Sequence, residues 1–177
     1  MKWRLFLGLF WVVTLEGVAQ KFVAEKSVIT FFSDALVEDI TATNSKTSSL
    51  FNTATTEIAF SVPIRQFQFE KKLMQEHFNE KYMESAKFPT ASFSGVLLNF
   101  DAAAAGPQNV KAKGKLTIHG VTREVEIEGT ARAGDRIVLQ AKFPVTLADY
   151  RVEIPQIIFQ NIAETVEVSV SITYKPQ

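Results

Sequence analysis

Apolar residues fall at every second position along much of this chain, and a period of two fits β-strands rather than helices. Over 110–118 the even positions hold Val110, Ala112, Gly114, Leu116 and Ile118, while Lys111, Lys113, Lys115 and Thr117 take the odd ones. From 121 onward Val121, Val125, Ile127, Gly129 and Ala131 are set against Glu124, Glu126, Glu128 and Arg132. Near the C-terminus Val166, Val168, Val170, Ile172 and Tyr174 alternate with Thr165, Glu167, Ser169, Ser171 and Thr173. Ile58, Phe60, Val62 and Ile64 repeat the pattern earlier. Each segment has one wet face and one dry face, as antiparallel sheets require. Further strands are expected over 28–34, 39–44, 47–52, 90–100 and 137–145. The total, about eight or nine, is enough to close a barrel. Pro63 and Pro144 must then lie at edges or bulges.

One hairpin register follows from the side chains. His119-Gly120 is a two-residue connection; Gly supplies the positive φ of the favoured hairpin turns, and His tolerates it better than most residues. With Ile118 opposite Val121, Lys115 faces Glu124, Lys113 faces Glu126, Lys111 faces Glu128 and Thr117 faces Thr122. On the dry face Gly114 meets Val125, Ala112 meets Ile127 and Val110 meets Gly129. A slip of one residue would lose every pair, so the Lys–Glu ladder reads as a solvated face. The next turn, around 133–135, needs an odd number of residues to keep Ile137, Leu139, Ala141, Phe143 and Val145 dry. A helix over 70–82 interrupts the strands, with Leu73, Met74, His77 and Phe78 on one face and Lys71, Lys72, Glu76 and Glu80 largely on the other. Phe67 and Phe69 precede it; Tyr82, Met83 and Phe88 follow. Between strands of a meander such a helix has room only over a barrel mouth, as a plug or lid.

The N-terminus has a different character. Lys2 and Arg4 precede an apolar run from Leu5 to Leu15, and Gly17-Val18-Ala19 closes it with small residues. This is the layout of a secretory signal peptide, and the run is too short for a membrane span, which takes ~20 residues. Residues 1–19 are therefore read as a signal peptide cleaved after Ala19. One domain over 20–177 is then periplasmic or secreted, with no stable membrane anchor. Both tryptophans, Trp3 and Trp11, would leave with the signal, whereas only Phe6 and Phe10 of 15 Phe would. The 19 basic residues balance 19 acidic ones, which excludes the electrostatic footprint of a nucleic-acid binder. With no Cys there is no disulfide, thiolate nucleophile or lipidated cysteine. At 46% hydrophobic and 21% charged, the fold must stand on its core alone.

Residues that could carry chemistry are few. His77 and His119 are the only imidazoles. Glu76, His77 and Glu80 are too few for a metal centre and read as ordinary helix surface. No G-x-S-x-G motif or phosphate-cradling glycine loop is present. Tyr150, after Asp149, reads as a buried tyrosine with a structural partner. Arg123 is the one charge at a dry-face position; it could meet an anionic head group at the barrel mouth or snorkel to water. No enzyme class and no cofactor are indicated.

Residues 69–93 (FEKKLMQEHFNEKYMESAKFPTASF), 114–125 (GKLTIHGVTREV) and 143–155 (FPVTLADYRVEIP) together resemble the YceI-like, polyisoprenoid-binding family. The likeness runs over nearly all of 20–177. It implies an all-β, extended, lipocalin-like antiparallel barrel of bacterial export, holding a long isoprenoid chain inside and performing no catalysis. The sequence departs from the family near its start, where Lys26-Ser27 replaces an Asp/His-type opening, and it is shorter. Short dry-face residues (Ala91, Gly95, Ala112, Gly114, Gly129, Ala131, Ala141) leave room for a ligand, unless the phenylalanines fill it. The candidate ligand-binding set is Phe60, Val62, Phe78, Tyr82, Phe93, Ala112, Gly114, Leu116, Arg123, Val125, Ile127, Gly129, Ala131, Leu139 and Phe143. Two functions remain: a carrier of isoprenoid or similar apolar lipid chains, or a filled barrel acting as a protein-interaction or stress-response module. Pairing as a homodimer is compatible with both.

Overall fold

The computed structural model describes residues 21–34, 39–154 and 163–177; the expected signal peptide and Pro155 lie outside them. The strands are β1 (Lys21–Ser33), β2 (Ile40–Asn44), β3 (Ser48–Asn52), β4 (Glu57–Pro63), β5 (Gln68–Phe69), β6 (Thr90–Leu98), β7 (Pro107–Ile118), β8 (Val121–Arg132), β9 (Ile137–Thr146) and β10 (Thr165–Pro176). Among them an eight-stranded antiparallel barrel closes where β1 pairs with β10, from Phe22↔Pro176 to Phe32↔Glu167.

β2 and β5 are the far halves of kinked strands. The start of β1 pairs with β3 and its end with β2, while β4 pairs with β3 and, past a 3₁₀ turn at Ile64–Gln66, β5 pairs with β2. Buried polar groups staple the bends, each with a partner as burial demands. Ser27 Oγ donates to the Thr47 carbonyl (2.8 Å), and Asn44 Nδ2 donates to that of Pro63 (2.9 Å). β1 begins well before the expected residue 28, because a bulge between Ala24 and Lys26 breaks the alternation that marks a strand.

The β7–β8 hairpin has the register its charges require, with Ile118↔Val121, Lys113↔Glu126 and Val110↔Gly129 among its rungs. His119 and Gly120 have φ of +50° and +73°, both positive as a primed turn demands. Lys113 Nζ lies 2.9 Å from Glu126, and Lys111 lies 3.6 and 3.7 Å from Glu126 and Glu128, all on the wet face. Arg132 faces Val138, so the turn around Gly134 has the expected odd count.

The interior divides into two halves. In one, Phe22, Phe51, Ile58, Leu97, Val110, Ala131, Ile137, Leu139, Ile172 and Tyr174 pack together, all buried. Phe51 meets Phe100 edge-on (5.0 Å between centroids) and tilts against Tyr174 (6.0 Å). The Tyr174 hydroxyl, 2.5 Å from Ser49 Oγ, is the polar centre of this half, and Ser49 donates onward to the Ala59 carbonyl. In the second half Ile29, Ala42, Ile64, Phe67, Tyr82, Met83, Ala91, Val145, Tyr150, Val152 and Val166 form another buried cluster, which surrounds a space it does not fill.

The expected helix is two pieces. α1 (Lys72–His77) runs into a π-helical turn at Phe78–Tyr82, closed by Met83 N–H donating to the Phe78 carbonyl at 2.9 Å. Met74 and Phe78, one turn apart, face the interior, and the widened turn brings both Tyr82 and Met83 inside. Leu73, expected on the inner face, is instead 63% exposed, because it stands about 100° round the helix from Met74.

Candidate functional site

The unfilled half encloses a cavity of about 240 Å³ whose surface is apolar almost throughout. Single strands pass from the first half into it: Val110 belongs to the first cluster, Ala112 and Leu116 pack against that cluster and also border the cavity, and Ile118 borders the cavity. Ala141, Phe143 and Val145 of β9 and Val166, Val168 and Val170 of β10 form the opposing wall. At ~30 Å³ each, the liquid share of one water molecule, the space takes a chain of at least eight carbon centres.

Aromatic rings close one side. Phe78 stacks on Phe31 (5.5 Å between centroids, 22° between planes), and Phe69 and Phe67 lean against it at 4.9 and 5.6 Å. β1, the 3₁₀ turn region, β5 and the π turn each supply one ring, so the helix is held over the cavity by an aromatic cluster. Tyr82 and Tyr150 are buried in the lining. Burial pushes both hydroxyls above the ordinary phenol value; at Tyr150 the Asp149 charge adds to this and Arg123 opposes it.

Beyond β9 the chain turns inward. A 3₁₀ turn at Leu147–Tyr150 and the residues after it bring Leu147, Tyr150, Val152 and Ile154 against the cavity. Two side chains pin this turn from outside. Arg123 Nε donates to the Asp149 carbonyl (3.1 Å), with its guanidinium 4.0 Å from the Asp149 carboxylate. His119 Nδ1 donates to the Tyr150 carbonyl (3.3 Å), while Nε2 lies 3.0 Å from Glu84 Oε2 and the ring meets Phe88 edge-on at 4.4 Å. The hairpin tip thereby ties the helix end to the turn. Gly120 is required here twice: its φ is positive, and an added Cβ would sit 2.5 Å from the Phe88 ring. Among the described residues no three His, Asp or Glu side chains converge as a metal site would need.

Of the candidate residues, Phe60, Val62, Phe78, Tyr82, Phe93, Ala112, Leu116, Ile127 and Phe143 border the cavity together. The other six do not. Ala131 and Leu139 belong to the packed half, and Val125 lies against it. Gly114 is short because β6 and β7 press together there: it faces Gly95, and a Cβ on either would overlap the other's Cα. At Gly129 an added Cβ would run into the Gln140 carbonyl. Arg123 points to neither an interior ligand nor open water alone; it holds the 147–150 turn. Sequence reasoning missed Tyr150, Val152 and Ile154, which alternate with Arg151 and Glu153 but belong to no strand, and Ile29 and Phe31, which lie in an expected strand with nothing to single them out. Val166, Val168 and Val170 were marked by their period and only lacked a reason to be preferred.

The YceI-like domain family matches this chain over residues 20–174. A polyisoprenoid-binding domain from Saccharophagus degradans, implicated in plant cell wall breakdown, superposes with a TM-score of 0.76 at 18% identity, over 88% of this chain and 98% of that one. BcnA of Burkholderia cenocepacia gives 0.70 at 18% identity, over 83% and 95%. The YceI protein of Campylobacter jejuni gives 0.58 at 10%, over 100% and 93%. No curated protein matches the chain. The solved structures share the fold, and the family match reaches every strand described and stops two residues short of the end of β10; this chain belongs to the YceI-like domain family.

Proposed function

We propose that this protein is an exported, non-catalytic carrier that holds an isoprenoid or similar long apolar chain in the unfilled half of its barrel. The observation that carries this reading is the cavity itself. A closed eight-stranded barrel has room to fill its interior with side chains or to hold one small ligand, and here one buried cluster closes one half while the other surrounds an apolar space it leaves unfilled. An apolar surface of this kind offers a hydrocarbon chain ~0.8 kcal/mol for each CH₂ taken from water, and offers a charged head group nothing. The head of any ligand therefore stays at the margin. The polyisoprenoid-binding neighbour supports the chemical class. The basic start, apolar run and Gly17-Val18-Ala19 support export, and the family match begins at residue 20, just past the expected cleavage.

Calorimetric titration with geraniol, farnesol and geranylgeraniol tests the reading. Affinity should climb steeply with chain length until the cavity is full and then level off. Equal, weak affinity for all three would contradict it and favour the filled-barrel interaction module.

A further inference from the structure

The barrel wall is not hydrogen-bonded all the way round. β8 and β9 pair only from Gly129↔Ala141 to Arg132↔Val138. Toward the other end, the stretch of β8 from Val121 keeps its full ladder to β7, and β9 keeps its ladder to β10 as far as Thr146↔Thr165. Between them, among the described residues, the β8–β9 ladder has no further rung. Had the pairing continued, Ile127 and Phe143 would form the next inward-facing rung. Both are instead half-buried residues of the cavity lining, one on each side of the parting.

The sequence maintains this opening. Pro144 lies in the parted stretch of β9 and has no N–H to donate, which suits an edge and not a zipped interior strand. Among the described residues the 147–150 turn lies over the parting, and its backbone is tied to the β7–β8 hairpin by Arg123 reaching the Asp149 carbonyl and by His119, at the hairpin tip, reaching that of Tyr150. The turn ends on Arg151 at φ +55°, a left-handed conformation that is strained for a non-glycine residue. A short cover over an unpaired seam, held to the hairpin by two side chains and with the cavity directly beneath, is a part of the wall that can open without breaking a β-ladder.

We propose that apolar chains pass into and out of the cavity sideways, between β8 and β9, when the 147–150 turn swings away from both Arg123 and His119. This rests on the carrier reading above and adds the route. The aromatic cluster under α1 stays closed during the exchange.

Farnesol is the test ligand, and its replacement by deuterated farnesol is followed by native mass spectrometry. Because the chain has no Cys, Arg123→Cys with Asp149→Cys supplies the only thiols, joined by a short bis-maleimide with a reducible spacer. The bridge should slow replacement at least about tenfold with little change in Kd, and cutting the spacer should restore the rate. A second bridge, Gln68→Cys to Gln75→Cys, pins α1 to β5 outside the cavity lining and should leave the rate within about twofold. Pro144→Val returns an N–H and a β-branched residue to the seam without thiol chemistry, and should slow replacement in the same direction. An unchanged rate in both the 123–149 bridge and Pro144→Val, or slowing by the 68–75 bridge instead, would overturn the lateral route. Failure of the unmodified protein to bind farnesol would overturn the carrier reading, and the route with it.

Discussion

Ala112 and Ala131 separate the hollow half from the packed one. Both are alanines on the dry face of adjacent strands, yet Ala112 borders the cavity while Ala131, 2% exposed, is enclosed in the core. Replacing either with Leu adds three carbons, or roughly 90 Å³ on the liquid-volume scale. At Ala112 that fills about a third of a 240 Å³ space. Burying three carbons is worth up to ~2.4 kcal/mol, less ~0.5–1 for the fixed side chain. Ala112→Leu should therefore stabilise the ligand-free protein by about 1–2 kcal/mol. Ala131→Leu has no space to enter and should cost ~1–3 kcal/mol as overpacking. At ~2–4 °C per kcal/mol for a chain of this size, the two variants should melt several degrees on either side of the parent. Thermal and urea unfolding of delipidated protein reads the difference, and farnesol titration of the same samples completes the test. Ala112→Leu should also lose most of its affinity, because the new side chain occupies the ligand's volume. Equal destabilisation by both substitutions would mean the barrel is filled end to end. A stabilised Ala112→Leu that binds farnesol as before would mean the chain sits elsewhere.

Three further outcomes are expected. Phe78→Ala removes the ring that Phe31, Phe67 and Phe69 contact, should cost ~3–5 kcal/mol in urea unfolding and should open a second way out under α1, so that farnesol release speeds even with the 123–149 bridge in place; unchanged release from a folded variant would make the helix structural cover only. Burial raises the Tyr174 hydroxyl well above the ordinary phenol value, with Ser49 opposing. The stability it contributes is then complete below the unfolded value of about pH 10 and lost as pH climbs toward the folded one. Tyr174→Phe should shrink that alkaline loss in pH-dependent urea unfolding, and an unaltered profile would refute the assignment. Protein recovered from a secreting host should begin at Gln20 by intact mass and show tyrosine but no tryptophan fluorescence; retention of Trp3 and Trp11 would refute export by cleavage after Ala19.

The β7–β8 hairpin was legible in full because three kinds of information coincided there: a two-residue turn, opposite charges on one face and alternating apolar residues on the other. Where only alternation was available, it told which way a side chain points and not what it meets. Ala112 and Ala131 look alike in the chain and differ only in whether the opposite wall comes close. Gly114 and Gly129 illustrate a second ambiguity. A missing side chain suggested empty space, but these glycines let neighbouring backbone approach instead. The kinks that divide β2 from β3 and β4 from β5 depend on Asn44 and Ser27 reaching carbonyls elsewhere in the chain, pairings no local pattern reveals. Pro144 was the one visible mark of the seam between β8 and β9. Its exclusion from interior strands could be read directly, while its place over the cavity required the fold.

The central claim is that the open half of the barrel holds an apolar chain in the cell. Organic extraction of protein purified from its own host, followed by mass spectrometry, tests it most directly. A lipid dominated by a long hydrocarbon or prenyl chain should be recovered at close to one per protein, and Ala112→Leu should be recovered nearly free of it. Extracts free of such lipid from both proteins, together with no farnesol binding by the delipidated parent, would contradict the account.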